Sequence, residues 1–134
     1  MSSQNLFDIY SWSHITHGIL FYHFLHYFQY PTNEIIFLSI LMEILWEYIE
    51  NTQFIIRKYR SNKRFINYRG DSYLNIFGDI LFAMIGIYIT KYSFNLSILI
   101  MIILEIILSR YHANFLYLSI GSLFKCKWSR IRSK

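Results

Sequence analysis

The chain has 134 residues, of which 54% are hydrophobic, 20% aromatic and 16% charged, and its formal net charge is +5. This apolar fraction exceeds the roughly 45–50% that is typical of soluble domains, so an ordinary soluble protein is not expected. One proline, five glycines and one cysteine exclude collagen-like, proline-rich and disulfide-stapled classes.

Four apolar stretches, taken in chain order, approach the length of a membrane-spanning helix, which needs about 20 mostly apolar residues. We therefore predict an all-α integral membrane bundle of about four transmembrane helices, forming a single membrane domain over residues 1–134. The predicted spans are residues 13–30, 34–52, 72–90 and 94–109, with a basic loop at 53–70, a C-terminal interfacial helix at 113–124 and a basic tail at 125–134. The segment 113–124 is too short to cross a bilayer and is therefore placed at the interface.

Basic residues are concentrated in the predicted loop and tail. With four spans, both segments lie on one side of the membrane, and the opposite side carries only two short turns. The positive-inside rule then predicts that both termini lie in the cytoplasm or the mitochondrial matrix. Basic residues beside spans also attract anionic phospholipid headgroups, so we predict headgroups, and not nucleic acid, as partners of these segments.

Polar side chains inside the predicted spans are the most unusual feature of the sequence. A charge in the hydrocarbon costs roughly 2.5–3.5 kcal/mol on insertion scales, so it usually faces the interior of a bundle. Glu43, Glu47 and Glu50 are spaced i, i+4 and i+7, which places them on one helix face. The same argument, applied to the other spans, predicts one polar pocket open toward the basic loop. Its predicted residues are His14, His17, Glu43, Glu47, Glu50, Asp71, Asn75, Asp79 and Glu105.

Three interpretations of this pocket are open. In the first, arginines of the loop fold over it and pair with its acids, forming a static polar plug that fixes helix register. The second is a site for protons or lipid headgroups. The third is a metal site, because imidazoles and carboxylates are ligands for Zn, Mn or Fe, and its candidate ligands are His14, His17, Glu47 and Glu50. The predicted pocket mouth is formed by Arg57, Tyr59, Arg60, Arg64 and Arg69.

No sequence motif requires a cofactor. A Glu-x-x-His pair, the usual mark of di-iron helix bundles, does not occur, and neither does a c-type haem attachment motif. Bound lipid is the expected ligand, and a metal ion or a haem held by histidines of the first span are the alternatives. Catalytic residues are not assigned, because the serines near a histidine and an aspartate lack a strained elbow motif.

Several strings around these polar residues are long enough to be specific. They are Ser13-His14-Ile15-Thr16-His17-Gly18, Trp46-Glu47, the run from Glu50 to Ile56, Tyr59-Arg60, Gly70-Asp71-Ser72, Leu74-Asn75 and Asp79. Through them the chain resembles an uncharacterised family of alphaproteobacterial membrane proteins, domain of unknown function 2585. The resemblance is ungapped over about residues 13–85 and looser as far as Trp128. It implies a membrane protein, and it brings no known activity.

The composition also points to the source of the gene. Phe, Tyr, Met, Ile, Asn and Lys, whose codons are AT-rich, supply 66 of the 134 residues, and valine is absent. Because this bias indicates an AT-rich genome, and the likeness is alphaproteobacterial, we predict a mitochondrial inner-membrane protein, with the bacterial inner membrane as the rival location.

The leading hypothesis for function is a non-catalytic accessory subunit of a multi-protein inner-membrane complex of the respiratory chain. Its partners would be other membrane subunits, and its polar pocket would organise the helices or bind lipid headgroups. The alternative is a membrane enzyme or transporter that uses the same pocket, with or without a metal.

Overall fold

The computed structural model of the chain describes residues 5–61 and 66–115. Within these residues the regular secondary structure is entirely helical, which confirms the all-α prediction. The helices are α1 (Ser11–Tyr27), α2 (Thr32–Glu50), α3 (Gln53–Arg60), α4 (Tyr73–Tyr92) and α5 (Phe94–Ser109). Arg64, the predicted interfacial helix beyond residue 115 and the basic tail 125–134 lie outside the described residues.

Local sequence determines where several of these helices begin. Pro31 directly precedes α2, with a φ of −60° that suits a helix entry. Ser72 caps α4, because its Oγ accepts the backbone N–H of Asn75 at 3.2 Å. Ser93 caps α5 in the same way, accepting from Leu96 at 3.3 Å, and its extended backbone conformation separates α4 from α5.

Helix α1 lies at the centre of the bundle, where it contacts α2, α4 and α5, and its contacts with α4 are the most extensive. Two glycines allow this close approach. A Cβ added at Gly18 would overlap the carbonyl oxygen of Ala83 on α4, and one added at Gly86 would overlap the carbonyl oxygen of Ile15 on α1. Backbones of α1 and α4 therefore meet directly, as small residues allow in helix pairs.

Length and composition do not confirm four membrane-spanning helices. Among the described residues, α4 is the one helix that is both long and apolar enough to cross a membrane, with 20 residues and a mean hydropathy of 1.6. Helix α5 is apolar but has 16 residues, which is about 24 Å at 1.5 Å per residue. Helix α1 has 17 residues, and α2 has 19 but contains four glutamates. The polar residues of the predicted pocket lie largely on α1 and α2, and they reduce the hydropathy of those two helices.

The outer surface of the bundle is strongly apolar and aromatic. Tyr27 is 80% exposed, and Trp12, Phe24 and Phe28 are each about half exposed. Exposed aromatic side chains on a helix and at its end are typical of a surface covered by lipid or by other proteins.

Candidate functional site

A buried cluster of two histidines and three carboxylates lies where α1, α2 and α4 meet. His14 and His17 come from α1, Glu43 and Glu47 from α2, and Asp79 from α4. All five are at least 95% buried. The spacing i, i+3 on α1 and i, i+4 on α2 places each pair on one helix face, and the packing turns these faces toward each other.

His14 is the hub of this cluster, because its ring faces all three carboxylates. Its Nδ1 lies 2.5 Å from Oε1 of Glu43 and 3.2 Å from Oε1 of Glu47. Its Nε2 lies 3.8 Å from Oδ2 of Asp79. The second histidine, His17, holds the other oxygen of Glu43, with Nδ1 to Oε2 at 3.2 Å. Glu43 is thus clamped between two imidazoles.

Several polar atoms in and next to the cluster have no hydrogen-bond partner. They include Oε1 of Glu47, Oδ1 of Asp79 and Nδ2 of Asn75, which lies one turn before Asp79 on α4. Oε1 of Glu47 is within ion-pair distance of His14 but lacks hydrogen-bond geometry, since Nδ1 is already directed at Glu43. Buried groups left in this way carry a desolvation cost of about 1–3 kcal/mol each, and more when charged. The cluster is therefore incompletely satisfied by its own side chains.

The arginines predicted to close the pocket do not pair with this cluster in the described residues. Arg57 and Arg69 are exposed, and Arg60 donates from Nε to the carbonyl oxygen of Tyr68 at 2.5 Å. The ion pairs of the buried carboxylates within residues 5–61 and 66–115 are all with His14 or His17. Histidines, rather than arginines, face the acids.

The two outermost acids of the predicted pocket are held at its mouth by tyrosines. Tyr59 donates from its hydroxyl to Oε1 of Glu50 at 2.7 Å, and the Tyr68 hydroxyl donates to Asp71. The sequence analysis offered a loop arginine or a metal ion as the partner of Glu50, and a tyrosine is found there instead. Burial and the adjacent carboxylate of Glu50 raise the pKa of Tyr59, while burial and Asp71 raise the pKa of Tyr68. Both hydroxyls therefore remain protonated donors.

Asn51 connects this mouth to the buried cluster, a role that the sequence analysis did not assign. Its Oδ1 accepts the backbone N–H of Asp71 at 2.6 Å, and its Nδ2 donates to the carbonyl oxygen of Glu47 at 3.0 Å. The turn is tight, because Gly70 has a φ of +94° and lies against the Asn51 side chain. The sequence pointed to Asn51 and Gly70 only because both lie in the segments that carry the family resemblance.

Glu105, the last predicted pocket residue, fixes the chain after α5. Its carboxylate accepts from the Asn114 side chain at 3.0 Å and from the backbone N–H of Phe115 at 2.9 Å. The Phe115 ring in turn lies edge-on to His17, with centroids 5.1 Å apart. Glu105 thus holds in place the residue whose ring packs against His17.

Two overlapping groups in the cluster have the donor types of a metal site. His14, His17 and Glu43 form one, and His14, Glu47 and Asp79 form the other, with the donor atoms of each group within 4.8 Å of one another. Glu50, which the sequence predicted as a ligand, belongs to neither group.

Comparison with known proteins finds a family model that matches residues 1–125, described as a protein of unknown function (DUF2585). A UPF0314 protein of Brucella anthropi is 34% identical over 109 residues, which are 79% of this chain and 56% of that protein. A UPF0314 protein of Agrobacterium fabrum is 37% identical over 108 residues, or 78% of this chain and 54% of that protein. The chain therefore spans about half the length of the curated relatives that it matches. No solved structure matches it significantly.

These relatives correct the predicted cellular setting. They are bacterial, from Brucella, Agrobacterium and Rhizobium, and their names describe no component of a respiratory chain. The prediction of a mitochondrial respiratory-chain subunit is therefore wrong. It rested on codon bias together with the alphaproteobacterial likeness. Codon bias reports the base composition of a genome and not the compartment that the protein occupies, and the likeness fits a bacterial protein directly.

Proposed function

Because the chain belongs to the DUF2585 family, with relatives that are bacterial, we propose that it is a protein of the bacterial inner membrane whose buried His-carboxylate cluster binds a cation. One observation carries the proposal. Three buried carboxylates face two imidazoles, and carboxylate oxygens of Glu47 and Asp79 have no hydrogen-bond partner. A cation bound among them would satisfy these oxygens and balance their charge.

The membrane setting is supported by the apolar surface and by the position of the polar residues. Helix α4 passes the length and hydropathy requirement by itself, and α5 is shorter but apolar. Helices α1 and α2 would cross beside them, since their histidines and acids at the cluster face inward, as intramembrane ionisable groups do. The mouth at Tyr59 and Tyr68 then lies on the side of the basic loop, which the positive-inside rule assigns to the cytoplasm.

Topology gives the first test. We expect Cys126, and a cysteine placed by Ser61→Cys in a Cys126→Ser background, to react with a membrane-impermeant maleimide in inverted vesicles and to be protected in intact spheroplasts. The reason is that four crossings place the loop and the tail on one side. Thr32→Cys, in the turn before α2, is the matched control and should react in spheroplasts. Labelling of Ser61→Cys and Cys126 from opposite faces would contradict four crossings.

Cation binding gives the second test. We expect the thermal midpoint of the purified full chain in detergent to rise in the presence of at least one metal cation from a panel of Na⁺, K⁺, Mg²⁺, Ca²⁺, Mn²⁺ and Zn²⁺ at constant pH and ionic strength. A cation at 100 times its Kd stabilises by about 2.7 kcal/mol. Glu47→Gln should abolish the rise, while Glu34→Gln, at the opposite end of α2, should leave it unchanged. A midpoint that no cation moves, or that moves equally in both variants, would contradict the proposal.

The predicted role as a non-catalytic subunit of a multi-protein inner-membrane complex stays a prediction, without its mitochondrial respiratory-chain setting. The exposed aromatic side chains of α1 provide the surface that such a role needs. Phospholipid phosphate is a poorer occupant of the cluster than a cation, because carboxylates outnumber the imidazoles there.

A further inference from the structure

We infer that the cation is a divalent first-row transition metal ion, bound by Nε2 of His14 and by the carboxylates of Glu47 and Asp79, while Glu43 and His17 orient the His14 ring. This inference rests on the cation-binding function proposed above. It adds the class of ion, and it states which residues bind the ion and which orient the His14 ring.

The orientation of His14 is the first step of the argument. Its Nδ1 is 2.5 Å from Glu43, so this nitrogen carries the proton and donates to the carboxylate. The lone pair of a neutral imidazole is then on Nε2, which faces Asp79. Histidine ligands in metal sites commonly donate their other ring N–H to a carboxylate, which fixes both the tautomer and the ring orientation. Glu43 is itself held by His17, at 3.2 Å.

The second step is the spacing of the donor atoms. Zinc bonds to nitrogen and oxygen are about 2.0–2.2 Å long, so tetrahedral ligand atoms lie about 3.4 Å apart. Nε2 of His14 and Oδ2 of Asp79 are 3.8 Å apart, and Oε1 of Glu47 lies 3.2 Å from Nδ1 of the same ring. One donor atom from each of His14, Glu47 and Asp79 lies within 4.8 Å of the other two. A rotation of the Glu47 side chain toward Nε2, with donor atoms drawing together by up to about 1.4 Å, would therefore suit an ion of this size.

The third step is the state of the two carboxylates. Glu47 is 2% exposed and Asp79 is 4% exposed, and each has one oxygen that lacks a hydrogen-bond partner. By contrast, both oxygens of Glu43 are bonded to histidines. The oxygens that are free to coordinate a metal ion therefore belong to Glu47 and Asp79. This favours the group of His14, Glu47 and Asp79 as the metal site over the group of His14, His17 and Glu43.

The donor set also selects the class of ion. Mg²⁺ and Ca²⁺ are usually bound by oxygen atoms alone, whereas imidazole with carboxylate is suited to Zn²⁺, Mn²⁺ and Fe²⁺. Three protein ligands leave at least one coordination position for water or for a substrate. A site of this kind has the ligand number of a catalytic metal site.

The test is direct metal binding by the purified full chain in detergent, with Zn²⁺ and Mn²⁺ used separately as probes. We expect about one ion per chain for at least one of them, measured by mass spectrometry of the metal after dialysis. Asp79→Asn and Glu47→Gln should each weaken binding at least about 100-fold. Glu43→Gln should weaken it about 10- to 100-fold, the range typical of a group that orients a ligand. Glu34→Gln should have no effect, and circular dichroism without metal should show that every variant is folded.

The result that would overturn the inference is a wild-type chain that binds neither probe, or binding that survives unchanged in Asp79→Asn. If Na⁺, Mg²⁺ or Ca²⁺ stabilises the chain in the cation panel while Zn²⁺ and Mn²⁺ do not bind, the cation pocket stands and the transition-metal assignment fails. If His17→Gln abolishes binding and Asp79→Asn does not, the ion lies in the group of His14, His17 and Glu43, and the assigned ligands are wrong.

Discussion

His14→Ala should destabilise the metal-free protein by about 3–5 kcal/mol, the cost of leaving a buried charge without its partner. His14 is the hub that contacts Glu43, Glu47 and Asp79, and among the described residues the one other basic side chain that faces them is His17. The change therefore leaves several buried acids unpaired at once. Equilibrium unfolding in mixed micelles, followed by circular dichroism, measures the loss.

The matched control for this variant is His26→Ala, on the same helix but exposed. It should change the free energy of unfolding by less than about 1 kcal/mol, as surface substitutions usually do. Adding Glu43→Gln to His14→Ala should recover part of the loss, because it removes one of the unpaired charges. If the loss from His14→Ala is no larger than the loss from His26→Ala, the ion pairs of the cluster do not hold the helices together.

Gly86→Val should be the second severe change, with a loss of about 3 kcal/mol or more. Any Cβ at this position would overlap the carbonyl oxygen of Ile15. Because that atom belongs to the backbone of α1, it cannot move aside as a flexible side chain could, so α1 and α4 must separate. Inserting atoms into a well-packed contact typically costs 1–3 kcal/mol, and a clash with backbone is at or above the top of that range.

The neighbouring residue Ile85 provides the control, because it is on α4 but 46% exposed. Ile85→Phe adds three carbon atoms, the same number as Gly86→Val, yet it should leave the unfolding midpoint nearly unchanged. Gly18→Val should reproduce the effect of Gly86→Val from the other helix, since its Cβ would meet the backbone of Ala83. A Gly86→Val variant as stable as Ile85→Phe would show that α1 and α4 do not meet at this point.

Separation of the two helices also has a consequence for the cluster. His14 and Asp79 face each other across the contact between α1 and α4. Gly86→Val should therefore weaken metal binding as well as stability, while Ile85→Phe should change neither. Measuring both unfolding stability and metal binding in these two variants tests whether the proposed site depends on the packing of α1 against α4.

The sequence by itself determined which polar residues share a helix face. Helical periodicity and the cost of a charge in an apolar setting are local properties, and they were sufficient to select His14, His17, Glu43, Glu47, Asn75 and Asp79. They also predicted an all-α chain, but they assigned the residues of α3 to a basic loop. The family resemblance rested on the same residues and was confirmed by the family model.

Only the tertiary structure decided which faces meet. Periodicity gives the direction of a side chain relative to its own helix axis and contains no information on the neighbouring helix. The sequence therefore grouped Glu50, Asp71 and Glu105 with the buried acids, whereas the packing gives them Tyr59, Tyr68, Asn114 and Phe115 as partners. For the same reason one of its three interpretations paired loop arginines with acids that His14 and His17 face instead. Which distant side chains pair depends on the position of α1 between α2 and α4. Contacts between helices, such as those at Gly18 and Gly86, determine that position, and no local sequence pattern specifies them.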